Sequence, residues 1–590
     1  MPTMNDQTLH YFEAEMRYLR DAGKEFALAH PDRAALLNLD RVGELDPMVE
    51  RLFEGFAFLM GKLQQKLDDD LPELTESLVS LLWPHYLRMI PSLTVLAVQI
   101  RPGALQQTEW LEQGSTMLST PIGEAGIRCH YRTTRPLPLH PLHLRQASLE
   151  SLDDGRQQIR LSLQLETQAN RQSLDLSTLP LFLNADLPLA FALRHALTRP
   201  GNRLTMRANG QDSILPARLE LVQSGFETGN DLWPRPDTAH GGYPLLMEYF
   251  AFREKFLFLE LRGIQALQLP DDGLFDIDIA LERTFPPHPP FDGSAFQLHC
   301  VPAINLFDLE AEPIHVDHTA TEYRVIPMLH YGPHVETFSV DQVQAFDHGS
   351  GQRQAYLPFG SFRHRGGMLR HEAPERYYHT RIRQGANGIY ATWLVLGGHA
   401  WQEQQSLFEE TLSLKVTGTN GMLPRKALRQ AQIMELAQPR TAILSVRNLV
   451  APSLPCHPPR EDRFHWRVLS HLTPNYVSLL DAEVLRGTLA LYDWTQDELN
   501  RRRLQAITEV SHQLVRKVEQ GCVMHGVAIT ITLDQSGFTG DGDLHLFATL
   551  LERFLAGYAD LNLFTRLRIL IQPTGDILQW GDSKCSRQAL

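Results

Sequence analysis

Three aspartates in a row, Asp68, Asp69 and Asp70, stand inside the stretch KLQQKLDDDLPELTESLVSLL. Carboxylates so close together suit a divalent cation, or an acid/base pair sharing a proton. Either chemistry needs further ligands converging from elsewhere, and no spacing in the chain supplies them. The order Asp70-Leu71-Pro72-Glu73 has instead the form of a helix-capping box, with Asp in place of Ser or Thr. Pro72 falls in the first turn, where it is tolerated, and the acids lie at the positive end of the helix dipole. Leu71, Leu74, Leu78 and Leu81 continue as an apolar stripe, so the expectation is a helix boundary rather than a site.

Other candidates for chemistry resolve in the same way. GFTGDGDLHLF, residues 537–547, puts glycines before a helix whose N-terminus suits an anion, but it lacks the lysine of a phosphate loop and the dinucleotide spacing. A glycine-rich turn capped by Asp543 accounts for it. Asp534, Asp541 and Asp543 do not have the spacing of a calcium loop and read as turn carboxylates. His364, His371 and His379 recur in FRHRGGMLRHEAPERYYH at intervals that define no metal site. There is no G-x-S-x-G elbow, no H-E-x-x-H and no G-x-x-x-x-G-K-[ST]. A carboxylate pair for glycoside hydrolysis is a spatial feature that sequence spacing does not display. Catalytic residues, metal and cofactor are all expected to be absent.

The bulk properties agree. A formal net charge of -14 argues against nucleic acid, which asks for a concentrated basic face. Arg501-Arg502-Arg503 is short, is flanked by acids, and reads as a solvated helix face or a partner contact. Five cysteines, at 129, 300, 456, 522 and 585, form no C-x-x-C pair, and structural thiols in a reducing compartment are expected. The first ten residues have neither the apolar core nor the basic flank of a signal peptide, and no run approaches 18 apolar residues. The expected location is cytoplasmic, with any membrane attachment through partners.

The elements around these residues divide 590 residues into an α+β multidomain chain. Residues 1–90 read as a helical region. Leu9, Phe12, Met16 and Leu19 form a heptad-like seam, and a helix opening at Asp46-Pro47 carries a wider apolar face that includes Val49, Leu52, Phe53, Phe56 and Leu63. Residues 91–295 and 296–460 are expected to be β-rich antiparallel domains, from period-two runs such as TVLAVQI, IRLSLQL, LFDIDIALE and TLSLKVTG, with one helix at DLPLAFALRHAL. The proline-rich APSLPCHPPRED marks the next boundary. Residues 461–590 form a mixed α/β domain. There TQDELNRRRLQAITEVSHQLVRKV reads as one helix capped at Thr495 and Glu498, with Leu499, Ile507, Val510, Leu514 and Val518 inward. A second helix over Asp543–Tyr558 is expected to pack on a small antiparallel sheet.

Several stretches, in order, resemble the TssF (VasA/ImpG) family of type VI secretion baseplate subunits. They include YFEAEMRYLRDAGKEFALAHPDRAALL, DPMVERLFEGFAFLMGKLQQKLDDDLPEL, WPHYLRMIPS, HYRTTRPLPLHPL and EYFAFREKFLFLEL. CVPAINLFDLEAEPIHVDHTATEYRVIP, WRVLSHLTPNYVSL and LLERFLAGYADLNLFTRL follow, and VTGTNGMLP lacks a cysteine that many relatives place before its Thr-Asn. The resemblance implies a structural, non-enzymatic protein similar in organisation to a contractile-phage baseplate wedge. Two copies are then expected to associate with TssG, TssE and TssK around the VgrG spike, as a platform for Hcp tube and sheath assembly docked on the membrane complex. An apolar helix face wider than a short hairpin covers suggests that Leu9, Phe12, Met16, Leu19, Val49, Leu52, Phe53, Phe56 and Leu63 supply part of an inter-subunit core. A self-contained three-helix unit is the alternative. A β-rich cytoplasmic hydrolase with an unrecognised site, and a carbohydrate- or host-surface-binding module, are the competing readings of function. The first lacks a catalytic constellation and the second a secretion signal.

Overall fold

The alternating runs of the middle of the chain become strands because every second side chain has an apolar layer to enter. The computed structural model describes residues 86–584 apart from scattered short stretches, the longest being 360–375, 398–409 and 460–479. Of the first 85 residues it describes Met16, Leu19, Met48, 51–60 and Val79. The chain divides into two compact units, 1–82 with 462–472, and 83–461 with 473–590.

In the first unit, Met16, Leu19, Met48, 51–60 and Val79 are helical, as expected of a helical region. Ala57 and Val79 are fully buried and Met16 is nearly so.

The second unit is organised around a closed barrel. Leu93–Ile100 runs antiparallel between Cys300–Ile304 and Ile443–Asn448, and His130–Thr133, Thr116–Ser119 and Ile433–Leu436 complete the circuit. Closure leaves no strand edge, and the barrel is filled by Leu96, Val98, Met117, Tyr131, Val301, Met434 and Val446. A five-stranded sheet centred on Leu274–Ala280 and a four-stranded sheet centred on Phe258–Arg262 and Thr178–Leu183 lie in sequence between the barrel strands His130–Thr133 and Cys300–Ile304. The largest sheet has Glu410–Thr419 paired on both sides and continues through Tyr377–Gln384 and Tyr390–Gly397, the hairpin expected around Gly-Ala-Asn-Gly. A buried amide, Asn305, ties this sheet to the barrel. Its Nδ2 donates to the His130 carbonyl (2.6 Å) and to Asn420 Oδ1 (2.9 Å). Its Oδ1 accepts from Thr419 Oγ1 (2.8 Å) and from the Asn420 N–H (2.7 Å). All four bonds of the amide are therefore made inside the protein, the condition under which a buried polar group stabilises.

The C-terminal part departs from two sequence expectations. The capped helix ends early: Glu498–Gln505 is helical, but Ile507–Glu519 is a strand hydrogen-bonded to Cys522–Asp534. Val510, Leu514 and Val518 are spaced by four, which fits one face of a helix and, being even, one face of a strand. Pairing with Cys522–Asp534 decides between them. The cap is Asp497, accepting from the Leu499 N–H, with Thr495 one step earlier accepting from the Asp497 N–H. The sheet is also not purely antiparallel. Cys522–Asp534 lies parallel to Leu563–Gln572, because the helix Asp541–Ala556 between them is a crossover that returns the chain to the same end.

That helix is buried nearly all round. Leu546, Phe547, Ala548, Leu550, Leu551 and Phe554 have no exposed surface, and its Gly542 approaches the helix Leu187–Leu197 so closely that a Cβ would sit 2.2 Å from the Phe191 carbonyl oxygen. At its first turn the Asp543 carboxylate accepts from Arg503 Nε (3.1 Å) and Nη2 (2.8 Å), and from the N–H and Oγ1 of Thr539 (both 3.1 Å). Arg503 is therefore not part of a solvated face: Arg501 and Arg502 are, pairing with Glu498, while Arg503 turns inward. Removing one charge strands the other in a dry site. Asp543→Ala is expected to cost about 3–5 kcal/mol, read in chemical denaturation, whereas the double change Arg503→Met with Asp543→Leu is expected to recover most of that loss.

Candidate functional site

The residues that suggested chemistry are each committed to local structure. Asp534 accepts from the Ser536 N–H (2.9 Å) at a tight turn, Asp541 accepts from Gln535 Nε2 (2.9 Å), and Asp543 holds Arg503. Three carboxylates with separate tasks do not converge on a cation. The glycine-rich loop 537–542 does lead into a helix, and Asp543 occupies that N-terminus with its own negative charge. His379 lies in the strand Tyr377–Gln384; His364, His371 and the aspartates 68–70 lie outside the described residues. Among the described residues no three His, Cys, Asp or Glu side chains are placed to hold a metal ion. Cys129, Cys300 and Cys456 are buried free thiols, and burial pushes Cys129 and Cys456 up to about 12, far from a reactive thiolate.

The stretches that single out the family are occupied by buried polar hubs, which sequence inspection did not mark. In HYRTTRPLPLHPL, Tyr131 is fully buried with its hydroxyl 3.1 Å from Ser92 Oγ, and the Arg135 guanidinium lies 4.4 Å from the centre of the Phe258 ring. In EYFAFREKFLFLEL, Glu248 and Lys255 form a buried ion pair, and Glu248 also accepts from the Leu232 N–H (2.7 Å). Arg253 reaches Asp497 (3.2 Å), and the Phe250 carbonyl accepts from Asn500 (3.3 Å), so this stretch fastens the helix Glu498–Gln505. A signal existed in the second stretch, where Glu248 and Lys255 are charged residues set among Tyr, Phe and Leu.

The expected partner-binding residues fall into three groups. Leu9, Phe12, Val49 and Leu63 lie outside the described residues. Met16 is buried, and Leu19 and Phe53 are half-buried. Leu52 and Phe56 are 71% and 53% exposed, and Leu59 beside them is 65% exposed. At 3.6 residues per turn, 52, 56 and 59 form one stripe and 53, 57 and 60 the adjoining one. The second stripe is covered, Ala57 completely; the first is open. A further apolar patch was hidden by the misread helix. Leu514 and Val518 are 84% and 70% exposed, and Val523, across the hairpin from Val518, is 60% exposed. Their hairpin outruns the third strand, whose pairing begins at His525–Leu563. No described helix is long and apolar enough to cross a membrane.

Among the described residues, apolar side chains stay exposed on the 51–60 helix and on the hairpin around Val518 and Val523, the kind of patch that marks an interaction surface. The family described as "Type VI secretion system, TssF" matches residues 4–587. The chain belongs to the TssF family. It is 30% identical over 633 aligned residues to the type VI secretion system component TssF1 of Pseudomonas aeruginosa, each chain being covered completely. It is also similar to a chain of the TssK-TssF-TssG baseplate subcomplex of the type VI secretion system, solved by cryo-electron microscopy. That likeness has 46% identity and a TM-score of 0.79, and covers 92% of this chain and 99% of the other. A chain of a type VI baseplate complex matches at 45% identity and a TM-score of 0.65, over 99% and 100% of the two chains. The α+β multidomain architecture expected from the sequence is that of a type VI baseplate subunit.

One family stretch also sets a pH limit. The His140 N–H donates to His299 Nε2 (3.1 Å), which holds that nitrogen unprotonated, and both imidazoles are buried. Burial pushes His140 down to about 4. It pushes His299 down to about 3, helped by the neighbouring His140. In the unfolded chain both titrate near 6.5, so the unfolded state binds more protons below that value. Stability is complete above about pH 6.5 and is lost as pH falls towards 4. His299→Gln keeps an acceptor that does not titrate. Its loss of stability between pH 7 and 4.5 is expected to be smaller than that of the parent by about 2 kcal/mol, measured by denaturation at each pH.

Proposed function

We propose that the chain is a non-catalytic baseplate subunit that assembles with TssG and TssK through its N-terminal helical region. The observation that carries this reading is the open stripe of Leu52, Phe56 and Leu59 on a helix whose adjoining face is already covered. Leu9, Phe12, Met16, Leu19, Val49, Phe53 and Leu63 complete the same shared core, in place of a self-contained three-helix unit. The solved relative from the TssK-TssF-TssG subcomplex supports the choice of partners. By the same reading TssE, a second copy of the chain, the VgrG spike, Hcp and the sheath join the platform. The chain works in the cytoplasm, meets the inner membrane only through the membrane complex, and needs no cofactor.

Burying a leucine and a phenylalanine stabilises an interface by roughly 1.5–3 kcal/mol each. In co-expression with cognate TssG and TssK, Leu52→Asp with Phe56→Asp is therefore expected to weaken TssG capture at least about a hundredfold. The circular dichroism and melting of the purified variant are expected to match the parent. Undiminished TssG capture by a folded double variant means that the helical region is self-contained.

A further inference from the structure

A cleft of about 990 Å³ in the second unit is bordered by two strands that end their sheets. Glu220–Gln223 is the last strand of the four-stranded sheet, and Ile577–Gln579 ends the path of the C-terminal sheet; both line the cleft. Which backbone groups they present follows from register. Ser224 donates its N–H to the Phe258 carbonyl, so 224 and 258 are a hydrogen-bonded pair. In an antiparallel ladder such pairs alternate, so Glu220 and Val222 bond inward while Leu221 and Gln223 aim N–H and C=O away from their sheet. On the other border, Trp580 donates to the Leu567 carbonyl and Ile571 to the Asp576 carbonyl. By the same alternation, Ile577 and Gln579 carry the outward groups. Among the described residues none of these four N–H groups has a backbone acceptor outside its own sheet.

Bare strand edges are usually blunted or covered, because they template pairing with another chain. Here two edges, each offering main-chain donors and acceptors, border one cleft. Among its described lining residues are six carboxylates and three arginines. His195 and His545 add no positive charge near neutrality, since burial pushes them down to about 4 and about 3. Five of the carboxylates, Glu220, Glu227, Glu282, Asp541 and Asp576, are exposed.

We propose that this cleft receives an extended, lysine- or arginine-bearing segment of another baseplate subunit, added as a strand to the Leu221–Gln223 edge, the Ile577–Gln579 edge, or both. Main-chain bonds hold such a guest, and the carboxylates select its charge. At about 3.3 Å per residue, a guest of four or five residues spans either edge. The inference rests on the assembly role proposed above and adds to it a second, β-type contact independent of the helical region.

Hydrogen exchange on the full chain, alone and co-purified with cognate TssG and TssK, tests it. Exchange of the amides of Leu221 and Gln223, of Ile577 and Gln579, or of both pairs is expected to slow at least tenfold in the complex. In a complex carrying Glu220→Lys with Asp576→Lys, both exposed positions, that protection is expected to be lost while the complex still forms through the helical region. A complex in which all four amides exchange as fast as in the free chain overturns the inference and leaves the assembly role standing. Protection unchanged by the lysine substitutions overturns the charge selection, and with it a basic guest. Absence of any complex overturns the assembly role and this inference together.

Discussion

The burial of one helix on nearly every side organises the second unit. The helix Asp541–Ala556 is the crossover of a parallel strand pair and, at the same time, the surface on which the helices Leu187–Leu197 and Gly242–Ala251 rest. Its Leu, Phe and Ala side chains are packed on most sides, Asp541, His545, Thr549, Glu552 and Arg553 form a polar stripe along one cleft, and its one buried acid in the first turn brings a counter-charge with it. Arg503 supplies that charge from the neighbouring helix. Gly542 is small because the Phe191 carbonyl occupies the space a side chain needs. Shape and charge thus meet within two residues, at the point where elements 350 positions apart in the chain touch.

Polar residues inside the protein do the same kind of work elsewhere. Asn305 with Asn420 and Tyr131 with Ser92 join segments distant in sequence, Glu248 with Lys255 joins residues seven apart, and each is paired within the protein. A satisfied polar network rigidifies and specifies a geometry, whereas hydrophobic burial alone tolerates sliding. In the family stretches, Tyr131, Glu248, Arg253 and Lys255 make directional bonds within the protein.

The surface is where this economy stops. Apolar side chains stay exposed on the 51–60 helix and on the hairpin around Leu514, Val518 and Val523, and two sheet-ending strands border one cleft. They are three different physical kinds of adhesive surface, namely a helical stripe, a hairpin tip and unpaired backbone.

The local pattern was legible in the sequence. Period-two alternation marked the strands at 93–100, 157–165, 274–280 and 410–419, and the apolar run after Asp543 marked the last helix, because these follow from the residue's own neighbours along the chain. The apolar character of Leu52 and Phe56 was legible too, but not their exposure, since a helix apolar on two faces does not say which face its own fold covers. Tertiary structure alone decided the rest. Spacing by four read 507–519 as helix, and a partner strand took it into a sheet instead. The inward turn of Arg503 depended on Asp543 arriving from forty residues away. Barrel closure between 93–100, 300–304 and 443–448, and the meeting of two strand edges at one cleft, depend on contacts across hundreds of residues. Side-chain periodicity carries no information about such contacts, because it records only which face is dry and not what keeps it so.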